Sequence, residues 1–406
     1  MKVLFLSQRV PFPPDRGDRI TTHHFLEHLI EKGAEIRIGC MADEDQDAAS
    51  IVHLKTRVKD VCAPRIHPGT LRKLASLRAL LTGESQTTAF FRNRELQATI
   101  DRWIQEDKPD LVYVYSSAMA QYVLHHPELR RLMQFAELDS DKWRQYSENA
   151  SWPLSWIYQR EARKLLAFET KVAQTFTHSA VVSEIEKELF VQKIPGVTPL
   201  VLPNGVDVDH FQTSGDANRD PHAVVFTGVM DYEPNIQGVF WFVRECWPQI
   251  RAEFAHARFQ IVGSRPTDSI LALDGVDGIE VTGRVPEIPP YLDSAGIAIA
   301  PLHLARGVQN KVLEAMSNAL PVVASPQAAQ GLGETSRDTL IIETTADATA
   351  NAILELMRDP ASARSIGHRA AEFVRHHFQW KNMLAIFDEA VLQDDGPGRP
   401  TATDES

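Results

Sequence analysis

The feature that most constrains this chain is an alternation. Short apolar runs rich in Val, Ile and Phe recur along it, separated by longer stretches with helical periodicity. Runs of that kind read as strands of parallel sheets, with the intervening segments as crossover helices. A first series is expected at 2–7, 35–41, 61–66, 111–116, 132–138 and 179–183. A second follows at 199–203, 223–228, 257–263, 279–283, 297–302, 321–325 and 339–343. Each series suffices for one doubly wound sheet, so the expected class is α/β with two Rossmann-like domains.

Size agrees with that division, because 406 residues with 43% hydrophobic content exceed what a single core usually supports. The break is expected at Lys193-Ile-Pro-Gly-Val-Thr-Pro199, which divides a domain over 1–195 from one over 196–375. Near the end, Asp347 reads as a helix N-cap, and that helix stops before Asp359-Pro360. A last helix over 376–392 is followed by an acidic Gly-, Pro- and Thr-rich segment, 393–406, which reads as a disordered tail.

Cys40, Cys62 and Cys246 are few, odd in number and far apart, which argues against a disulfide framework or zinc cluster and fits a reducing compartment. The opening KVLFLS run is too short for a signal-peptide core, and no segment reaches membrane-spanning length. The expected location is therefore cytoplasmic. A net charge of −12 excludes nucleic acid as a partner for the whole surface. The pairs His23-His24, His125-His126 and His376-His377 are adjacent and would point apart on a helix, so they read as surface or capping residues.

Ligands of such sheets bind beyond the carboxyl ends of the strands, so the loops there carry the chemistry. The most informative one begins at Ala300-Pro-Leu-His and runs through Arg306-Gly-Val-Gln-Asn-Lys-Val-Leu-Glu-Ala-Met316. A helix starting near Gln309 or Asn310 would aim unpaired backbone amides at a diphosphate. Lys311 and Glu314 are three residues apart on one face, while Val312, Leu313 and Met316 supply packing positions. Taken alone, Lys311 and Glu314 would be an ordinary surface pair worth ~0.2–0.5 kcal/mol.

With Leu320-Pro-Val-Val-Ala324, this segment resembles that of the retaining glycosyltransferases with the GT-B fold, which carry Gly-x-x-x-Lys-x-x-Glu-Ala-Met followed by Pro-Val-Val-Ala. Leu202-Pro-Asn-Gly-Val-Asp207, Thr282-Gly-Arg-Val285 and Phe378-Gln-Trp380 look like that group's domain-entry segment, base-contacting turn and terminal crossing helix. A nearer similarity, to exopolysaccharide sugar transferases that accompany exosortase (PEP-CTERM) gene clusters, runs through Pro11-Phe-Pro-Pro-Asp-Arg-Gly-Asp-Arg19, Asp139-Ser-Asp-Lys-Trp143 and Gly228-Val-Met-Asp-Tyr-Glu-Pro-Asn235.

The resemblance implies transfer of a sugar, with retention, from a nucleotide-diphosphate sugar to a saccharide or lipid-linked saccharide. It implies an N-terminal acceptor domain and a C-terminal donor domain. Lys311 would hold the diphosphate, Glu314 the ribose, and the backbone around Arg284 and Val285 the base. Gly228, Gly307, Val308, Gln309 and Asn310 complete the donor side. Gly17 would let the loop after the first strand approach the donor phosphates, and Arg16, Asp139 and Asp141 would face the acceptor. Capping of the following helix is an equal reading for Asp139 and Asp141.

Two departures stand out. Arg306 occupies the place of the group's first glutamate, eight positions before Glu314, where its guanidinium could contact phosphate instead. Val229 and Pro234 stand where the group commonly has Arg and Lys, which deprives Lys311 of its usual helpers. Helix-end amides and basic side chains replace a metal in this fold, so neither an essential metal nor a cofactor besides the donor is expected, and Asp207-Val-Asp209 and Asp139-Ser-Asp141 are weak metal signatures.

Leu74, Leu77 and Leu81 at helical spacing, with Arg72, Lys73 and Arg78 between them, fit a helix on an anionic membrane surface or one packed on the first domain. An epimerase or hydrolase of the same fold, or a two-domain sugar-binding protein, could use the same architecture. A dinucleotide enzyme is disfavoured because no Gly-x-Gly-x-x-Gly follows the first strand.

Overall fold

A computed structural model describes residues 1–45, 47–66, 83–148, 150–213, 215, 219–305, 308–333 and 338–393. The chain divides into two units. One comprises Met1–Leu202 and Leu384–Ser406, the other Pro203–Met383.

The first unit is built on a parallel sheet of β1 (Lys2–Leu6), β2 (Glu35–Gly39), β3 (Asp60–Cys62), β4 (Leu111–Tyr115), β5 (Arg131–Ala136), β6 (His178–Val181) and β7 (Leu200–Val201). Their order is β3-β2-β1-β4-β5-β6-β7. All five residues of Leu111-Val-Tyr-Val-Tyr115 are buried, as expected of a central strand covered on both faces. Phe5 stacks on Tyr113 at 4.6 Å between ring centroids.

The second unit repeats the design with β8 (Asp220–Thr227), β9 (Arg258–Val262), β10 (Ile279–Gly283), β11 (Ala295–Ala300), β12 (Val322–Ala324) and β13 (Ile341–Ile342), in the order β10-β9-β8-β11-β12-β13. Its core includes the aromatic group Phe226, Phe242, Trp247 and Phe259, with Phe242 and Phe259 centroids 4.9 Å apart. In both sheets the order reverses beside the first strand, between β1 and β4 and between β8 and β11. Those crevices are where doubly wound folds bind ligands.

The apolar run at 199–203 was assigned to the second sheet, and the structure corrects this. Leu200 and Val201 pair with Ala180 and Val181 at the edge of the first sheet, and the Leu202 amide donates to the Val181 carbonyl. The Pro- and Gly-containing stretch around Pro195 is thus a loop from helix Glu184–Lys193 into β7, and the units part after Leu202. The expected Asp347 cap is likewise displaced by two residues. Thr345 is the N-cap and accepts from the Ala348 amide, while Asp347 lies in the first helical turn.

After helix Pro360–His377, a final helix, Trp380–Phe387, continues into a π-helical turn, Asp388–Leu392. Phe387 is fully buried in the first unit, edge-on to Phe25 at 5.2 Å. Asp388 receives His28 at 2.6 Å and Lys32 at 2.7 Å. Of the expected tail, 394–406 lies outside the described residues, as does 67–82, which contains most of the amphipathic basic stretch.

Candidate functional site

In the second unit the crevice between β8 and β11 is framed by two turns. After β8 the chain passes Gly228, and after β11 it leads to helix Asn310–Ser317. Gln309 is the N-cap of that helix but makes no side-chain cap hydrogen bond. Val308, Val312, Leu313 and Met316 are buried in the core, while Lys311 and Glu314 stay partly accessible. Asn310 Oδ1 is shielded from solvent and has no hydrogen-bond partner.

Lys311 reaches back across the turn after β8. Its Nζ donates to Asn235 Oδ1 at 2.6 Å and lies 4.2 Å from the centroid of Phe226. Asn235, itself buried, donates through Nδ2 to the Val229 carbonyl at 2.8 Å and so ties the lysine to the turn. A Cβ on Gly228 would stand 2.7 Å from Asn235 Nδ2 and 3.0 Å from Lys311 Nζ, so no side chain fits there. A Cβ on Gly263, at the end of β9, would fall 1.6 Å from the Gly228 carbonyl oxygen, which makes that approach a backbone-on-backbone contact.

Burial depresses the Lys311 ammonium to about 7, partly opposed by the Glu314 charge. Burial likewise raises the Glu314 carboxyl to about 7, opposed by Lys311. Both side chains keep some solvent access, yet the protein atoms around their heads favour the neutral forms. Perturbed groups at a switch-point crevice mark a candidate site, and an incoming polyanion would restore the lysine's charge.

Arg284 and Val285 follow β10. Arg284 is exposed, whereas Val285 packs against the core. Arg306 and Gly307 lie outside the described residues. Lys311 has a partner in Asn235 that residue-by-residue reading missed. The motif ending at Asn235 and Lys311 were each visible in the sequence; their pairing across 76 positions was not. Asp207 Oδ1 accepts from the His210 amide at 3.0 Å and closes a turn.

In the first unit, Arg16 is the N-cap of helix Gly17–Glu31 and pairs with Asp18 and Glu44, each at 3.2 Å. A Cβ on Gly17 would meet nothing within 4 Å, so the chain's own packing does not demand glycine there. Buried Arg19 pairs with Asp47 at 2.8 Å, and Arg9 bridges Asp18 and Asp43. Ser116, which directly follows β4, and Ala136, the last residue of β5, hold φ of +73° and +60°. Such strain in non-glycine residues costs ~1–3 kcal/mol each and concentrates at functional positions. Neither residue type announces it in the sequence.

Asp139 begins helix Asp139–Glu148 and accepts from Ser117 Oγ at 3.4 Å. Burial raises its carboxyl above the usual range. Beneath it, Glu169 on helix Leu154–Thr175 is fully buried and accepts from the Ser140 amide at 3.3 Å. Burial, followed by the charge of Asp139, pushes the Glu169 carboxyl well up. Asp141 does not share that environment. Arg144 Nε at 2.6 Å and Gln145 Nε2 at 3.2 Å, both on its own helix, engage its carboxylate.

Comparison with known proteins bears on the second unit first. Residues 221–359 match the family described as glycosyl transferases group 1. The chain carries a group 1 glycosyltransferase domain. It is a glycosyltransferase, and the crevice with Lys311 and Glu314 lies within the matched residues.

Over its length, the glycosyltransferase is 22% identical to an uncharacterized 44.6 kDa protein in the cps region of Klebsiella pneumoniae, covering 96% of this chain and 99% of that protein. Among solved structures it resembles sucrose-phosphate synthase from Thermosynechococcus elongatus, with a TM-score of 0.67, 16% identity and coverage of 96% and 97%. It also resembles Anabaena Alr3699/HepE in complex with UDP, with a TM-score of 0.66, 16% identity and coverage of 96% and 99%. At these identities the likeness shows the GT-B fold class, with two parallel-sheet α/β domains. Among the described residues, no helix is long and apolar enough to cross a membrane.

Proposed function

We propose that this glycosyltransferase moves a sugar, with retention, from a nucleotide-diphosphate sugar to a saccharide or lipid-linked saccharide in exopolysaccharide assembly. The observation that carries the reading is the Lys311–Asn235 bond beside Gly228, at the switch-point crevice of a group 1 domain. Helix-terminal amides, Lys311 and Arg306 bind the diphosphate and stabilise the charge that develops on it as the glycosidic phosphate bond breaks. Glu314 accepts from the ribose hydroxyls, while the turn at Arg284 and Val285 meets the base. Gly17 leaves room for the donor phosphates. Arg16 and Asp139 face the acceptor; Asp141 holds the helix that carries Asp139.

UDP supports itself as the first nucleotide to test, because one structural relative was solved with UDP and again with UDP-glucose. The cps-region relative supports polysaccharide assembly. A lipid-linked acceptor at the inner face of the membrane is supported by Trp152 and Trp156, which are 82% and 52% exposed beside exposed Leu154. No acid lies between Ala150 and Arg160, and exposed Arg163 and Lys164 follow. Exposed Trp beside basic residues suits an anionic interface.

The test is incubation with a panel of nucleotide sugars and polyprenyl-linked or free saccharides, with NMR of the product's anomeric centre. A product of unchanged donor configuration supports the reading. An inverted product removes retention, and nucleotide-sugar hydrolysis or epimerisation without transfer favours the alternative enzymes. Sedimentation with phosphatidylglycerol vesicles at low salt checks the membrane contact, which recovery of the protein in the supernatant would remove.

A further inference from the structure

The pair His125-His126 does not point apart. It lies in the turn between a 3-10 segment, Ser117–Tyr122, and β5, where no helix separates the rings, and their centroids are 4.2 Å apart. Both face Asp101 on helix Arg94–Glu106. The Nε2 atoms of His125 and His126 lie 3.3 and 3.6 Å from Asp101 Oδ1, and the three ligating atoms fall within 4.8 Å of one another. The turn precedes β5, so this cluster sits at the opposite end of the strand from Asp139.

Hydrogen bonding makes the cluster more than a coincidence of side chains. His126 Nδ1 meets Glu128 Oε1 at 3.0 Å. A carboxylate only accepts, so Nδ1 carries a hydrogen, and Nε2 presents a lone pair whenever it bears no proton itself. That lone pair is shielded from solvent, has no hydrogen-bond partner and faces a second acceptor, the Asp101 carboxylate. With His126 Nε2 unprotonated, a cation between it and Asp101 Oδ1 would satisfy both atoms and would take the place of the 3.3 Å hydrogen bond between His125 Nε2 and that oxygen. Gln97 Nε2 donates to the same Asp101 oxygen at 2.9 Å and to the Tyr122 carbonyl at 3.0 Å, holding the carboxylate in place.

The spans suit a particular ion. Tetrahedral zinc with bonds of ~2.0–2.1 Å sets neighbouring ligand atoms ~3.3–3.4 Å apart, close to the two nitrogen–oxygen distances here. Two imidazoles and a carboxylate are borderline donors that favour zinc over magnesium or calcium. Glu128 behind His126 is the outer carboxylate that commonly orients a zinc-bound histidine.

The geometry points to a zinc site formed by Asp101, His125 and His126, with Glu128 as the positioning residue and water in the fourth place. Bound zinc ties helix Arg94–Glu106 to the turn before β5 and stabilises the first unit. It takes no part in sugar transfer.

The test uses the full chain without a histidine tag, stripped with chelator and titrated with Zn²⁺ by calorimetry. Visible absorption of added Co²⁺ reports coordination number. One saturable Zn²⁺ equivalent and a higher Tm are expected, with binding lost in His126→Ala and Asp101→Asn and weakened ~10–100-fold in Glu128→Gln. Mg²⁺ should not compete. His125→Ala, at a half-exposed position, checks ligation with little risk to folding, and circular dichroism confirms each variant's fold. No saturable Zn²⁺ binding would overturn the site. Binding that survives in folded His126→Ala would overturn it as well.

Discussion

Lys311 Nζ and Asn235 Oδ1 meet at 2.6 Å across the crevice between β8 and β11, although 76 positions separate the two residues. This bond fixes the cation at the mouth of a helix, and it rests on the absence of a side chain at Gly228. Asn235→Ala strips the lysine and the Val229 carbonyl of their partner. It should cost about 1–3 kcal/mol of stability and weaken nucleoside diphosphate binding by ~tenfold or more. Gly228→Ala, whose Cβ would collide with both Asn235 and Lys311, should cost about 1–3 kcal/mol and a similar loss of binding. Chemical denaturation and calorimetry read the two effects.

Binding should also depend on pH in a stated direction. The free Lys311 ammonium is depressed to about 7, and a bound diphosphate favours its protonated form. Below that value the cation is already in place; above it, binding must take up a proton. The dissociation constant in Glu314→Gln, which removes the neighbouring carboxyl, should therefore rise up to ~tenfold per pH unit above neutrality. Lys311→Arg, always charged, should show no such limb.

In the first unit, Glu169 makes a stability prediction. Its folded carboxyl titrates well above the ordinary 4.5, so between those two values the native state holds more protons than the unfolded one. Stability is then lost as pH rises through that window. Glu169→Gln should equal wild type near the bottom of the window and exceed it at alkaline pH, measured by urea denaturation across pH. Parallel curves would contradict this.

Phe387 tests how the end of the chain is anchored. Its fully buried ring packs on Phe25 in the first unit, so Phe387→Ala should cost about 3–5 kcal/mol. The loss should fall on the first unit's unfolding transition, visible by differential scanning calorimetry.

The fold was legible because strands buried on both faces must be apolar, and every apolar run named in the sequence became a strand. Which sheet a strand joins is a different question. Leu200 and Val201 were misplaced because their pairing with Ala180 and Val181 leaves no trace in local composition. Lys311 and Glu314 were found through spacing and resemblance, and their helix starts where the pattern put it. Asn235 was quoted only as part of a motif, since its role depends on a turn that brings distant residues together. His125 and His126 lie at the surface as expected, but their rings do not point apart, because the pair sits in a turn and not on a helix. Ser116 and Ala136 carry strain that no residue-type rule could reveal.

The most direct measurement is calorimetric titration of UDP, alongside GDP, ADP, CDP and dTDP, into the wild type and folded Lys311→Ala and Glu314→Ala variants. One nucleoside diphosphate should bind selectively and saturably to the wild type, and each substitution should weaken it by ~tenfold or more. Equal affinity in all three proteins, or no binding to folded wild type, would contradict a donor site at Lys311 and Glu314.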